Sequence, residues 1–248
     1  MATPVSASIR TDLAPTGTLR VGLNHSNFLL VQTDAATGKA KGIAADLGRE
    51  LGARLGVPVE LLKYDSPGTM AEAALTGAWD VAFLGAEPAR ANQIHFTAAY
   101  LEIEATYLVP AGSPIKKVAD VDRPGVRIAV ANKSAYELYL SRSIQQAKLV
   151  KVDGVDASYN IFVADKMEAL AGLRPRLVTD VEKLPGSRIL EGRFTAVQQA
   201  IGTPKNRSDA TARFLREYAE DVKASGLVAQ VIARHGIRGV TVATKAAV

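Results

Sequence analysis

A short apolar run from Asp80 to Leu84 reaches Gly85 and opens into a loop where Pro88 stands two residues before an isolated arginine, Arg90. A guanidinium at the carboxyl edge of a sheet suits an anionic ligand, because its planar fork can hold a carboxylate through two parallel N–H donors. Gly85 lets the backbone make a close approach and Pro88 bars the strand from continuing, so Arg90 is expected on a loop at the carboxyl end of a buried strand. An ordinary surface arginine is the plainer alternative, and the rest of the chain has to decide between them. Ser134 followed by Glu137 has the spacing of a capping box, which makes Ser134 the expected N-cap of a helix. A plain cap and an anion-accepting helix start are both open for it. His25, His95 and His235 are too far apart to suggest metal-ligand spacing, and no metal or other cofactor is implied. No carboxylate or histidine constellation compels a general acid. Glu87 has the setting of a solvated turn residue.

Composition narrows the partners. The 248 residues suffice for one large domain or two modest ones. No run approaches the ~18 uninterrupted apolar residues of a membrane span. Met1 to Asp12 lacks the charged start and apolar core of a secretory signal peptide, as expected of a mature or re-cloned chain. The absence of cysteine excludes disulfides, thiolate metal sites and lipid attachment through an N-terminal Cys. The net charge is +5, but the basic residues are scattered and aromatics make up only 6%, so no nucleic-acid partner is expected.

The elements that would position Arg90 and Ser134 follow from hydrophobic period and breakers. Met1 to Pro15 reads as a tail or a short helix, and Leu19 to Leu23 as a first strand. Leu29 to Gln32 could form a brief strand. Ile43, Leu47, Leu51 and Leu55 recur every four residues and predict a helix from Gly42 to Leu55, stopped by Gly56. Strands are predicted over Val57 to Lys63 and Asp80 to Leu84, separated by a short helix from Thr69 to Leu75. Trp79 is expected in the core. This β-α-β-α-β order is the grammar of an open parallel sheet. Tyr100 to Val109 should be a long extended strand that crosses into another domain, because a new βαβ series begins beyond Pro110. That series comprises a strand from Val126 to Ala131, a helix from Ala135 to about Gln146, a strand from Leu149 to Val152, and a helix over most of Val155 to Glu168. A strand end follows at Ala169 to Gly172, then a helix from Leu177 to Lys183. A return strand lies within Arg188 to Gln199. Ser208 to Ala224 is strongly amphipathic, Leu227 to His235 is a last helix, and the tail from Gly239 on should fray.

In this order the motifs resemble the periplasmic solute-binding proteins of ABC importers, family 3, the polar amino-acid-binding type. The resemblance rests on Gly17-Thr18-Leu19-Arg20-Val21-Gly22, Gly42-Ile43-Ala44-Ala45-Asp46-Leu47, Gly77-Ala78-Trp79-Asp80-Val81-Ala82, Arg90 to Tyr100, and Ser225-Gly226-Leu227. Each motif is weak alone, but five in order, spanning roughly Gly17 to Ile237, are strong. The resemblance implies an α/β fold of the periplasmic-binding-protein-like type II, with two α/β lobes joined by a two-segment hinge and the ligand held between them. Lobe 1 would comprise residues 17–107 plus 202–248, lobe 2 residues 108–201, and 1–16 an N-terminal tail. It further implies that Arg90 clamps a ligand carboxylate, aided by backbone amides near Gly85 and by Ser134 at the start of the second lobe's first helix.

Departures from the family pattern bear on the ligand. Where the family has an aspartate for the ligand's α-amino group, this chain has Leu173, with Arg174 beside it. Lys133 replaces the glycine usual before the N-cap, next to Asn132. Asn24 stands where an aspartate is frequent, and Asn27-Phe28 where an aromatic packs on the ligand. The changes at Leu173, Arg174, Lys133 and Asn24 remove negative or add positive character. They predict a small organic acid without a free α-amino group, with or without a second anionic or polar end. Glu168 or Asp180 could supply a carboxylate instead. The expected function is capture of a carboxylate-bearing solute, organic acid or amino-acid-like, by a periplasmic monomer that delivers it to an ABC transporter permease. The main alternative is a cyclohexadienyl-dehydratase-like enzyme on the same fold. A sensor domain would require a truncated chain.

Overall fold

The computed structural model describes residues 5–246. The chain divides into two compact units: residues up to Glu102 with those from Gln198 on, and Ile103–Val197. It leaves the first unit within one long strand and returns within another.

In the first unit, α1 (Ala7–Leu13) begins at an N-cap, Ser6, whose hydroxyl accepts from the Ile9 amide. The stretch left open between tail and helix is therefore helical here; the notional tail's first four residues lie outside the described ones. Helix α1 buries Leu13 completely. Strand β1 (Leu19–Asn24) leads to a hairpin of two short strands, β2 (Gln32–Thr33) and β3 (Ala40–Lys41), which corrects the strand expected over Leu29 to Gln32. Helix α2 (Ile43–Leu55) shows why the four-residue period was decisive: Ile43, Leu47, Leu51 and Leu55 are all fully buried. Its N-cap Gly42 adopts φ 120°, and a Cβ there would lie 2.5 Å from the Leu30 carbonyl oxygen, so only glycine fits. Next come β4 (Val59–Tyr64), α3 (Pro67–Glu72) and β5 (Val81–Gly85). Trp79 is fully buried, and its indole N–H donates to the Met70 carbonyl at 2.8 Å. Strand β1 lies between β4 and β5 and is parallel to both. Strand β6 (Ile94–Val109) then carries the chain out of the unit.

The second unit repeats the pattern. Strands β7 (Arg127–Ala131), β8 (Lys148–Val152) and β9 (Ala169–Leu173) are parallel, with β7 in the middle, and α4 (Ala135–Ser143) and α5 (Val155–Ala164) make the crossovers. Helix α5 stops short of the predicted Glu168. Lys166 takes the left-handed conformation (φ 48°) and the Met167 amide donates back to the Phe162 carbonyl at 3.0 Å, a helix-terminating closure made without a glycine. Helix α6 (Arg174–Val181) starts directly after β9, earlier than predicted. Strand β10 (Arg188–Ile189) pairs with β6, and β6 runs antiparallel to β9. The core is built by Tyr107, Ile128, Val130, Tyr136, Leu140, Ala169 and their neighbours.

Strand β11 (Thr195–Pro204) returns to the first unit and lies antiparallel to β5. Helix α7 (Asp209–Ala224) buries Ala212, Leu215, Tyr218, Ala219 and Val222, the face read from the sequence. Its start is clasped by Asp12 of α1, which accepts from the Ser208 amide and hydroxyl and the Thr211 hydroxyl. After α8 (Leu227–Arg234), the segment expected to fray instead forms β12 (Val240–Val242), which pairs with β6. Its Val-Thr-Val sequence suits a strand, and the Ala243 amide donates to the Tyr100 carbonyl.

Candidate functional site

In an open parallel sheet the loops beyond the carboxyl ends of the strands are where ligands bind, because helix starts and irregular backbone collect there. The candidate residues of each unit fall at that edge.

In the first unit, β1 ends at Asn24, whose side-chain oxygen accepts from the Ser26 amide (3.1 Å) and hydroxyl (2.7 Å). Asn27 is buried and its side-chain oxygen accepts from the Leu29 amide at 3.3 Å. These are side chains that mimic backbone turns, and they shape the loop that presents Phe28. Phe28 is 41% exposed, one of only a few large apolar side chains so displayed among the described residues. Burial and the Lys63 charge depress the pKa of nearby His25, so its imidazole stays neutral near neutral pH.

Strand β5 ends at Gly85, followed by Ala86, Glu87 and a single 3₁₀ turn, Pro88–Arg90. Arg90 is 5% exposed. Its guanidinium donates to the Gly85 carbonyl at 2.6 Å, so the side chain folds back over the end of its own strand. A surface arginine would do neither, and the plainer reading is set aside. The Ala86 amide is committed to the Gln198 carbonyl at 2.8 Å and is not among the amides near Gly85 open to a ligand. Glu87 corrects the sequence reading: it is 9% exposed, not a solvated turn residue, because the 3₁₀ turn folds it inward.

In the second unit, β7 leads through Asn132 and Lys133 to Ser134, the N-cap of α4, whose hydroxyl accepts from the Glu137 amide at 3.1 Å. The predicted capping box is thus half formed. The Glu137 carboxylate reaches past the cap to the Lys133 amide at 2.9 Å, and it also accepts from the Ser141 hydroxyl and pairs with Lys151 at 2.7 Å. Burial alone would raise the Glu137 pKa. Lys151, the Ser141 hydroxyl and the Lys133 amide outweigh it and hold the carboxyl below its usual range. Lys133 sits at φ 56°, where glycine would be unstrained and a lysine is not. The amides of Ala135 and Tyr136 have no carbonyl a turn earlier in the helix to accept them, and the helix dipole adds partial positive charge there. The Tyr136 phenol is pushed up to about 12 by burial, partly countered by its hydrogen bond with Ser134.

The Asn132 side-chain amide donates to Asp153, just past β8, at 3.0 Å; sequence reasoning missed this residue, and only the β7–β8 register brings it there. Leu173 ends β9 and packs on the core. Arg174 is bonded to Glu104 at 2.7 Å and to the Gly192 carbonyl. The other carboxylates considered for this edge are elsewhere. Glu168 precedes β9, at the opposite end of the strand, and holds Arg127. Asp180 lies late in α6, 1% exposed, and is paired with Arg176 and Lys183.

Two units of this kind, each with a parallel three-strand centre and its candidate groups at the carboxyl edge, define a mixed α/β protein of the type II periplasmic-binding-protein-like class. The chain belongs to the bacterial extracellular solute-binding proteins, family 3, whose family model matches residues 19–236. Similar solved structures include an ancestral amino acid-binding protein described as a precursor of cyclohexadienyl dehydratase (21% identity, 92% of this chain and 99% of that one, TM-score 0.74). An amino acid ABC transporter substrate-binding protein from Streptococcus pneumoniae, bound to L-arginine, gives 18% identity over 92% and 97% with TM-score 0.73. A binding component of an ABC transporter from Wolinella succinogenes, complexed with lysine, gives 20% identity over 88% and 95%, also with TM-score 0.73. At these identities the likeness is one of fold. No match is found among curated proteins. The family is extracytoplasmic and its role is solute binding; among the described residues no helix is long and apolar enough to cross a membrane.

Proposed function

We propose that this chain captures a small carboxylate-bearing solute in the periplasm, as a monomer, and delivers it to the permease of an ABC transporter. The observation that carries the reading is Arg90: a guanidinium buried at the carboxyl end of β5 and braced on the Gly85 carbonyl. A guanidinium held rigidly in this way at a strand end is the kind of group that grips a carboxylate with a planar fork of donors. Asn24, Asn27 and Phe28 are assigned as further ligand contacts in the first unit, and Asn132, Lys133 and Ser134 in the second. Arg174, bonded to Glu104, is assigned a supporting place beside Leu173.

A thermal-shift screen of carboxylates and amino acids tests the reading, since a ligand that favours the folded state raises the midpoint. With the best compound, Arg90→Ala should weaken binding by about 100-fold or more, as removal of one partner of a buried charge pair does. Arg90→Lys should retain only part of the affinity, because the fork is lost. Full affinity in both variants would remove Arg90 from the site.

A second reading is favoured by one feature, the buried Glu87 three residues before Arg90. A sheltered carboxylate there is the kind of group a dehydratase would use as its general acid. Incubation with prephenate or arogenate separates the two: turnover that disappears in Glu87→Gln would favour the enzyme, and no product favours the binding protein.

A further inference from the structure

The carboxylate grip leaves open what else the ligand carries, and the acidic side chains around the carboxyl ends of the strands bear on that. A ligand ammonium group taken out of water needs a carboxylate to meet it, and that carboxylate must not already be neutralised. In the second unit, Glu104 is held by Arg174 at 2.7 Å and Arg193 at 3.6 Å. Glu137 is held by Lys151, Ser141 and the Lys133 amide. Asp156, in the first turn of α5, takes Arg176 at 2.7 Å. The end of β9 itself is aliphatic: continuing the β7–β9 register places Leu173 level with Asn132.

Asp153 is the exception. It bonds Asn132 and has no cation partner among the described residues, but it is exposed, where water screens its attraction for an ammonium group. In the first unit, Asp65 is 88% exposed and paired with Lys63, and the buried Glu87 is not without a partner. Glu102, on β6 where the chain leaves the first unit, is half-buried and also has no cation partner among the described residues, so it is tested beside Asp153. Among the described residues, no fully buried carboxylate at either edge is uncommitted.

Resting on the reading of Arg90 as the carboxylate grip, we propose that the ligand is a small organic acid without an ammonium group, of the oxo, hydroxy or dicarboxylic kind, and that α-amino acids are discriminated against. The pairs to compare by titration calorimetry on the full chain differ only at that position: glutarate and glutamate, succinate and aspartate, phenylpyruvate and phenylalanine. The acid of at least one pair should bind tenfold or more tighter than its amino partner, a difference that Leu173→Asp should narrow and Asp153→Asn should leave within about twofold. Equal or tighter binding of the amino member would overturn the proposal while leaving the role of Arg90 intact. Amino-acid binding lost specifically in Asp153→Asn or in Glu102→Gln would also overturn it, by identifying the counter-charge. If no member of any pair binds, or if binding survives unchanged in Arg90→Ala, the carboxylate grip itself fails and the proposal falls with it.

Discussion

The two units close the amino ends of their sheets with the same clasp. In the first, the Arg20 amide and Nε donate to one oxygen of Asp80 and Nη2 to the other; in the second, Arg127 does the same to Glu168. Each arginine lies near the start of the central strand and each acid immediately precedes the neighbouring one, with matching registers, Val21 to Val81 and Ile128 to Ala169. The difference is depth. Asp80 is 0% exposed and holds a second guanidinium, that of Arg207 at 2.7 Å, whereas the Glu168 side chain is 36% exposed and has one. Identical geometry thus has two values, because water screens the exposed pair, while removing Asp80 would leave two guanidinium groups poorly solvated.

Asp80→Ala is therefore expected to destabilise the fold by about 3–5 kcal/mol, and Glu168→Ala by at most about 1 kcal/mol. Urea unfolding of both variants checks this, and equal losses would show that burial is not the deciding factor.

A smaller contrast lies at the opposite edges. The loop after β5 is braced by a guanidinium on a carbonyl, Arg90 on Gly85, and the turn after β7 by a carboxylate on an amide, Glu137 on Lys133. Only the second brace titrates in acid. Because the folded Glu137 pKa is depressed, its contribution is complete above about pH 4.3, the unfolded value, and is lost as pH falls through the lower folded value. Glu137→Gln should cost roughly 1–3 kcal/mol at pH 7 and flatten the dependence of stability on pH below that point. An unchanged acid slope would place the titrating groups elsewhere.

The smallest expected effect is at Lys133. Lys133→Gly should relieve left-handed strain by up to about 1 kcal/mol, less whatever the lysine side chain contributes, while weakening binding of the acid. Stability and affinity that fall together would mean that the lysine is held for folding alone.

Much of the frame was legible because it is local. The four-residue period of Ile43, Leu47, Leu51 and Leu55 could place only one face of a helix inward, and Ser134 could be named as a cap three residues before Glu137. The misreadings share one cause, dependence on groups distant in the chain. Nothing near Lys166 marks the end of α5, since the closing residue is not a glycine. Pro88 suggested a solvated loop at Glu87, but the fold turns that residue inward. Val240–Val242 reads as a tail until β6 is there to pair with it.

Hydrophobic period and breaker residues determined most of the order of elements and placed Arg90 just past a strand end, because each is a property of a short stretch; the family was legible as a resemblance of five motifs in order. Which carboxylates are already neutralised was decided only by the tertiary structure. Glu104 meets Arg174, and Glu168 meets Arg127, across dozens of residues, and such pairing depends on strand register and burial that no single stretch encodes.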